Sequence, residues 1–247
     1  MSRFLDKLER IWEGKAQPLG FGAQAKTKSP PMALVATLPL GRGDMVALAV
    51  AESVDAVLVP VEELAKEVEV LSQAIQTVGD IPLGVWVKTV TEEDVRQLSE
   101  LGCDFLVFGA DEVPATILVE GEIGKVLEIK PSLSDGLAKA IARLPIDAVL
   151  LKSEAQPLTV RRLMDYQRIA SSVGKPSLSA LPQGRGRDEV KGLWQAGIRG
   201  VVLSPEQLSQ VREAIQALPL TKGRTKGKVD IFLPPISEEM GEIEEEI

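Results

Sequence analysis

The chain has 247 residues with 28 basic and 36 acidic side chains, no histidine, a single cysteine and a formal net charge of −8. At 45% apolar residues it can build one large core, and it holds no apolar run near the ~18 residues of a membrane span. These totals exclude serine–histidine triads, most zinc sites, an intrachain disulfide and an extended basic footprint for DNA or RNA.

The first segment, Met1 to Arg10, mixes both charge signs and lacks the pattern of a secretory signal, so a cytoplasmic protein with neither membrane nor nucleic-acid partners is expected. Phe4, Leu5, Leu8, Ile11 and Trp12 share one helical face, predicting a short amphipathic helix that caps the fold, followed by loop over 14–31. A first strand is expected over Ala33–Leu38. The turn Gly41-Arg42-Gly43 and an Asp44-capped helix to Val54 follow, then a second strand at Val57–Val59. Leu64, Val68, Leu71, Ile75 and Val78 form a helical stripe ending at Gly79, and Leu83–Lys88 reads as strand three. Thr91 and Asp94 resemble a capping box for a helix through Val95, Leu98 and Leu101, with strand four running through Phe108. Residues 111–124 contain Pro114, two glycines and β-prone Thr116 to Val119, which predicts an irregular, extended excursion instead of a helix.

Val126–Lys130, Ala148–Lys152, Ser177–Leu181 and Val201–Leu203 supply strands five to eight. Between them lie helices started by Ser132, Thr159 and the turn at Gly184, and the last helix follows Ser204-Pro205-Glu206. From Thr221 four basic residues, Ile231-Phe232-Leu233 and a run of glutamates form a charged tail. The domain reading is therefore an N-terminal helix and loop over 1–32, a barrel over 33–219, and a flexible tail over 220–247. Two readings of the tail stay open: a solubilising end, or a segment that docks Ile231–Leu233 on a neighbouring subunit to make a homo-oligomer.

Four versions of one segment recur about every 50 residues, at Ser53–Val59, Gly102–Phe108, Pro145–Leu151 and Gly197–Leu203. That interval is two strand-plus-helix units, so the expected fold is α/β, a closed (β/α)8 barrel of eight parallel strands. Leu38-Pro39-Leu40-Gly41-Arg42-Gly43-Asp44 also matches Leu181-Pro182-Gln183-Gly184-Arg185-Gly186-Arg187-Asp188 with one inserted residue. Strands one and seven flank strand eight in such a barrel, so the two turns share one sector of the mouth. Gly41, Arg42, Gly43, Gly184, Arg185, Gly186, Arg187 and Ser204 are accordingly candidate phosphate ligands, although a glycine–arginine turn followed by an aspartate cap is also ordinary turn chemistry.

Strand parity puts Lys88, Lys130 and Lys152 at the ends of three strands, with Glu128 facing the barrel interior. A lysine held among apolar walls and other cations can act as a nucleophilic amine with Glu128 or Asp111 moving protons, which is carbonyl chemistry without histidine. The plain alternative is that the lysines are solvated strand ends paired with nearby carboxylates. Magnesium is a lesser reading, since the spacing of Asp111, Glu112, Glu120, Glu122 and Glu154 matches no known loop, and no cofactor is implied. Cys103, just before a strand, reads as a small buried apolar residue.

Over residues 33–218 the chain resembles the aldolase-type TIM-barrel superfamily. Ala148-Val149-Leu150-Leu151-Lys152-Ser153 is similar to the lysine-bearing strand of class I aldolases such as deoxyribose-phosphate aldolase, which implies Lys152 as a Schiff-base nucleophile. Lys88 likewise resembles the general-acid lysine of indole-3-glycerol-phosphate synthases. The expected function is a lyase or isomerase for a small phosphorylated or carboxylated carbonyl compound, using Lys152, Lys130, Lys88 and Glu128. The alternatives are a non-catalytic ligand-binding or assembly barrel and, third, a barrel binding a flavin or another phosphate ligand.

Overall fold

The structure is a computed structural model that describes residues 2–14, 30–41, 49, 52–152, 158–181 and 187–219. Eight parallel strands close into a barrel in sequence order: β1 (Ala33–Thr37), β2 (Ala56–Val61), β3 (Leu83–Val87), β4 (Phe105–Gly109), β5 (Gly124–Ile129), β6 (Ala148–Leu151), β7 (Ser177–Ala180) and β8 (Gly200–Leu203). Closure is made by β8 on β1, with Ala33 opposite Gly200 and Val35 opposite Val202. Seven α-helices lie among the described residues: α1 (Arg3–Glu13), α2 (Leu64–Val78), α3 (Glu92–Glu100), α4 (Asp135–Ile141), α5 (Val160–Ser172), α6 (Arg187–Gln195) and α7 (Leu208–Gln216). None is long and apolar enough to cross a membrane. The expected Asp44–Val54 helix and the tail from 220 lie outside the described residues, Ala49 and 52–54 apart.

Alternation along the strands makes two cores, one inside the ring and one beneath the helices. Val35, Leu58, Val107, Val126, Leu150 and Val202 fill the interior. Their neighbours Leu34, Val57, Leu106, Leu127, Val149 and Val201 pack outward under the helices.

Helix α1 closes the N-terminal end of the ring. Its Phe4, Leu5, Leu8 and Ile11 are buried in the interior core, and the Phe4 ring lies 4.9 Å from that of Phe105, centroid to centroid. A Cβ added to Gly124, the first residue of β5, would stand 2.3 Å from Leu5 Cδ1, so only glycine lets the helix come this close. The Ser2 hydroxyl caps α1 by accepting the Leu5 N–H, and the Asp104 carboxylate accepts from Ser2 Oγ at 2.6 Å, Arg3 N at 2.8 Å and Phe4 N at 3.0 Å.

The fourfold sequence repeat is explained at this same end. Asp55, Asp104, Asp147 and Arg199 each stand just before an even-numbered strand, and each backbone N–H donates to the odd strand before it, at Leu34, Leu83, Lys125 and Ser177. In the first and third quarters the side chain completes a loop, Asp55 Oδ2 accepting from Leu34 N and Asp147 Oδ2 from Lys125 N. Asp55 also pairs with Lys7 of α1. In the second quarter the carboxylate is turned away to hold α1, and in the fourth Arg199 donates to the Trp194 and Ile198 carbonyls. The repeat therefore encodes the stability face of the barrel.

Helix starts follow local chemistry. Thr91 and Asp94 form the expected capping box, Thr159 caps α5, and Ser134 rather than Ser132 caps α4. Pro205 opens a 3-10 turn, Pro205–Gln207, ahead of α7.

The segment after β4 is irregular, but it is not extended: it forms bends and a 3-10 turn, Ala115–Leu118. Both edges of β4 are taken by β3 and β5, so β-prone residues here have no ladder to join, and the turn instead buries Ile117 completely.

Lys125, on the outer face of β5, is 6% exposed, and its ammonium makes only long contacts of 3.4–3.5 Å to the carbonyls of Ile123 and Gly121. Burial lowers its pKa from the ordinary lysine value, against the opposing pull of Asp147 and Glu120. A folded-state pKa below the unfolded one means stability is lost as pH falls through the folded value and regained above the unfolded one. Lys125→Met is thus expected to raise the unfolding free energy at pH 7 by about 1 kcal/mol, read from urea titrations, with the gain vanishing above pH ~10.5.

Candidate functional site at the barrel mouth

The C-terminal ends of β3, β5 and β6 bring three side chains together. Trp86 stands opposite Pro60 and Val107, while Glu128 stands opposite Gly109 and Leu150. The Trp86 indole N–H reaches across β4 to donate to Glu128 Oε2 at 3.0 Å. Gly109, the β4 residue beside Glu128, contributes no side chain, and a Cβ there would meet nothing within 4 Å, which leaves this crossing open. On the other side Lys152 Nζ lies 3.2 Å from Glu128 Oε1 as an ion pair. That oxygen is shielded from water and has no well-aligned hydrogen bond among the described residues, so the lysine is its electrostatic partner.

The pair is asymmetric in solvent access: the Lys152 side chain is 58% exposed and that of Glu128 15%. A carboxylate with one oxygen held by a fixed donor and the other beside a mobile cation is oriented, yet it can exchange its second partner. Lys88 and Lys130 are exposed, and their side chains make no ion pair or hydrogen bond among the described residues. They sit one position beyond β3 and β5, on the parity of Trp86 and Glu128. Of the three lysines at these strand ends, Lys152 is the one paired with Glu128.

The inward ends opposite are small, namely Thr37, Ala180 and Ser204. Ser204 precedes the Pro205 turn, and its hydroxyl lies 3.4 Å from Gln207 Oε1. Gly41 has a φ of +79°, the left-handed conformation that suits glycine in a turn. Arg42, Gly43, Gly184, Arg185 and Gly186 lie outside the described residues, and Arg187 is described only as the first residue of α6. Trp86 was missed as a site residue, although it shares the strand parity of Lys88 that the sequence displays.

Among the described residues no group of three or more histidine, cysteine, aspartate or glutamate side chains could hold a metal ion. A cavity of about 180 Å³ between β1, β2 and α2, lined by Leu38, Val57, Val59, Ala74 and Val78, lies on the helix side of the strand layer, away from Glu128. Cys103 is buried, and burial, with a smaller push from Asp104, raises its thiol pKa to about 12. Its labelling by a thiol reagent at pH 8 is expected to be at least ~100-fold slower in the native protein than in urea, since so little thiolate forms.

No family model and no curated protein matches the chain. Solved structures do. The chain is similar to a mutant tryptophan synthase alpha-subunit from Pyrococcus furiosus, at 14% identity over 74% of this chain and 93% of that one, with a TM-score of 0.59. It is also similar to a ligand-free tryptophan synthase from M. tuberculosis, at 14% identity over 87% and 94% with a TM-score of 0.61. A protein from Aquifex aeolicus VF5 matches at 13% identity over 87% and 94%, TM-score 0.60. As many as 631 chains match, so the likeness establishes a (β/α)8 barrel fold and leaves the chemistry to this chain's own side chains.

Proposed function

We propose that the chain is a lyase or isomerase that removes a proton beside the carbonyl of a small phosphorylated or carboxylated compound. The observation that carries this reading is the Trp86–Glu128–Lys152 arrangement at the catalytic end of the barrel. Glu128 is the base: its orientation is held by the indole, and its second oxygen is released when Lys152 turns to the substrate. Lys152, the partner of the carboxylate, stabilises the negative charge that develops on the carbonyl oxygen as the proton leaves. Lys88 and Lys130 bind the substrate's phosphate or carboxylate, aided by the turns at Gly41–Gly43 and Gly184–Arg187 and by Ser204. The enolate so formed is common to isomerisation and to elimination.

A second reading makes Lys152 a Schiff-base nucleophile, favoured by its exposed amine at the end of β6. The ion pair with Glu128 opposes it, since the amine is engaged as the carboxylate's partner.

Incubation in D₂O with a panel of phosphorylated aldoses, ketoses and 2-keto acids, followed by NMR, tests the proposal. Exchange of the α-proton above the buffer rate, slowed by inorganic phosphate and without a borohydride-trapped adduct, is the expected outcome. An adduct mapped to Lys152 replaces it with the imine reading. No exchange with any compound leaves a non-catalytic binding barrel.

A further inference from the structure

Four glycines lie within the strands, all on the inward parity: Gly84, Gly109, Gly124 and Gly200. Packing requires three of them. A Cβ on Gly84, Gly124 or Gly200 would come within 2.3–2.4 Å of a neighbouring side chain. Among the described residues nothing requires the fourth. A Cβ on Gly109, at the end of β4, meets no atom within 4 Å, and its backbone lacks the positive φ that favours glycine. Glycine weakens a strand relative to alanine, so one that neither packing nor backbone demands points to a ligand that comes close to the chain there.

The hollow over Gly109 lies between two cations. The β3–β4 register ends with Val87 opposite Phe108, which sets Lys88 level with Gly109, and Lys130 follows β5 on the other side of the same strand. With neighbouring strands ~4.8 Å apart the two lysines start about 10 Å from one another, and each ammonium needs about 5 Å of its four-carbon stem to meet the other over β4. They can share one anion only where β4 puts no side chain between them, and residue 109 puts none. Glu128 stands opposite Gly109 in the β4–β5 register and borders the same hollow. A phosphate would set up to two negative charges against that carboxylate, a carboxylate only one.

We infer, resting on the reaction proposed above, that the hollow over Gly109 seats the carboxylate of a 2-keto acid between Lys88 and Lys130. The adjacent keto oxygen then lies toward Lys152, and the carbon beyond it gives its proton to Glu128. The electron pair of that C–H bond becomes the carbon–carbon double bond, and the carbonyl pair moves onto the oxygen.

Line broadening of pyruvate and 2-ketobutyrate in proton NMR reads binding without turnover. The full chain should broaden both, with inorganic phosphate about tenfold weaker as a competitor. Gly109→Val should raise the dissociation constant at least ~tenfold, and Gly109→Ala by less, because the new side chain and the anion exclude one another. Both variants should keep the parent's urea midpoint or exceed it. Adding Gly109→Val to Lys88→Ala should change little further, since both remove the same seat. Unchanged affinity in Gly109→Val overturns the inference, as does a parent that binds neither keto acid. If valine lowers the midpoint, the alanine variant decides on the same criterion. Phosphate that competes as well as pyruvate, and loses its grip with the same substitution, overturns the choice of a carboxylate. Proton exchange that persists beside an unchanged affinity in Gly109→Val leaves the proposed reaction without this seat, whereas binding lost on substitution in a protein that exchanges no proton leaves the seat without the reaction.

Discussion

Asp104→Ala is expected to cost about 3–5 kcal/mol of unfolding free energy, whereas the equivalent changes Asp55→Ala and Asp147→Ala cost about 1–2 kcal/mol each. The three residues occupy the same place in the repeat, so sequence alone gives no reason to rank them. The structure does. Asp147 accepts one backbone N–H, from Lys125, and Asp55 accepts one from Leu34 and pairs with the half-exposed Lys7. Asp104 accepts two N–H groups at the start of α1 together with the Ser2 hydroxyl, so its loss strips the acceptor from donors that α1 cannot satisfy internally. The ceiling is the free energy of docking α1, because once the helix detaches its end groups return to water. For that reason Phe4→Ala and Asp104→Ala should combine sub-additively, and Asp104→Asn, which keeps one acceptor oxygen, should cost roughly half as much. Urea midpoints of the single and double variants at pH 7 decide the matter. Equal effects at 104 and 147 would remove the distinction between a strand-end clasp and a helix anchor.

The barrel was legible because two periodicities repeat along the chain. Alternating apolar runs mark the strands, and the recurring aspartates of Ser53–Val59, Gly102–Phe108 and Pro145–Leu151 count them in pairs. What those aspartates do was not legible, since it depends on a carbonyl or amide one strand away and, for Asp104, on a helix that begins 101 positions earlier. The excursion after β4 shows the same limit from the other side. Thr116 to Val119 have the composition of a strand, and only the closure of the ring, which leaves β4 no free edge, makes them a turn. At the mouth, parity placed Glu128 and the ends of β3, β5 and β6 on one side. It did not pair them: the indole of Trp86 finds Glu128 across an intervening strand because its length spans β4. Lys152 joins them through the length of a flexible stem, a distance that no spacing rule contains.

Glu128→Gln is expected to lower α-proton exchange by about 10²–10⁴-fold, the range for loss of a positioned base. The amide keeps the size of the side chain and can still accept the Trp86 N–H, so the substitution removes the proton acceptor with little change in packing. Lys152→Ala separates the two chemistries. If the ammonium stabilises an enolate, the variant retains about 10⁻² to 10⁻³ of the exchange rate, as for loss of one oxyanion donor, and ethylamine in the buffer restores part of it. If the amine forms an imine, exchange falls to the buffer rate and the borohydride adduct disappears with it. Lys88→Ala and Lys130→Ala, which touch only the anionic handle, should weaken binding by about tenfold each and leave the maximal rate nearly unchanged, because the interaction is equal in ground and transition states. Trp86→Phe releases the donor from Glu128 Oε2 without removing the base. Its effect belongs in the rate at saturation, since the base is still present but no longer held in place. A Trp86→Phe rate equal to the parent's would mean that the indole packs against the interior core without orienting Glu128.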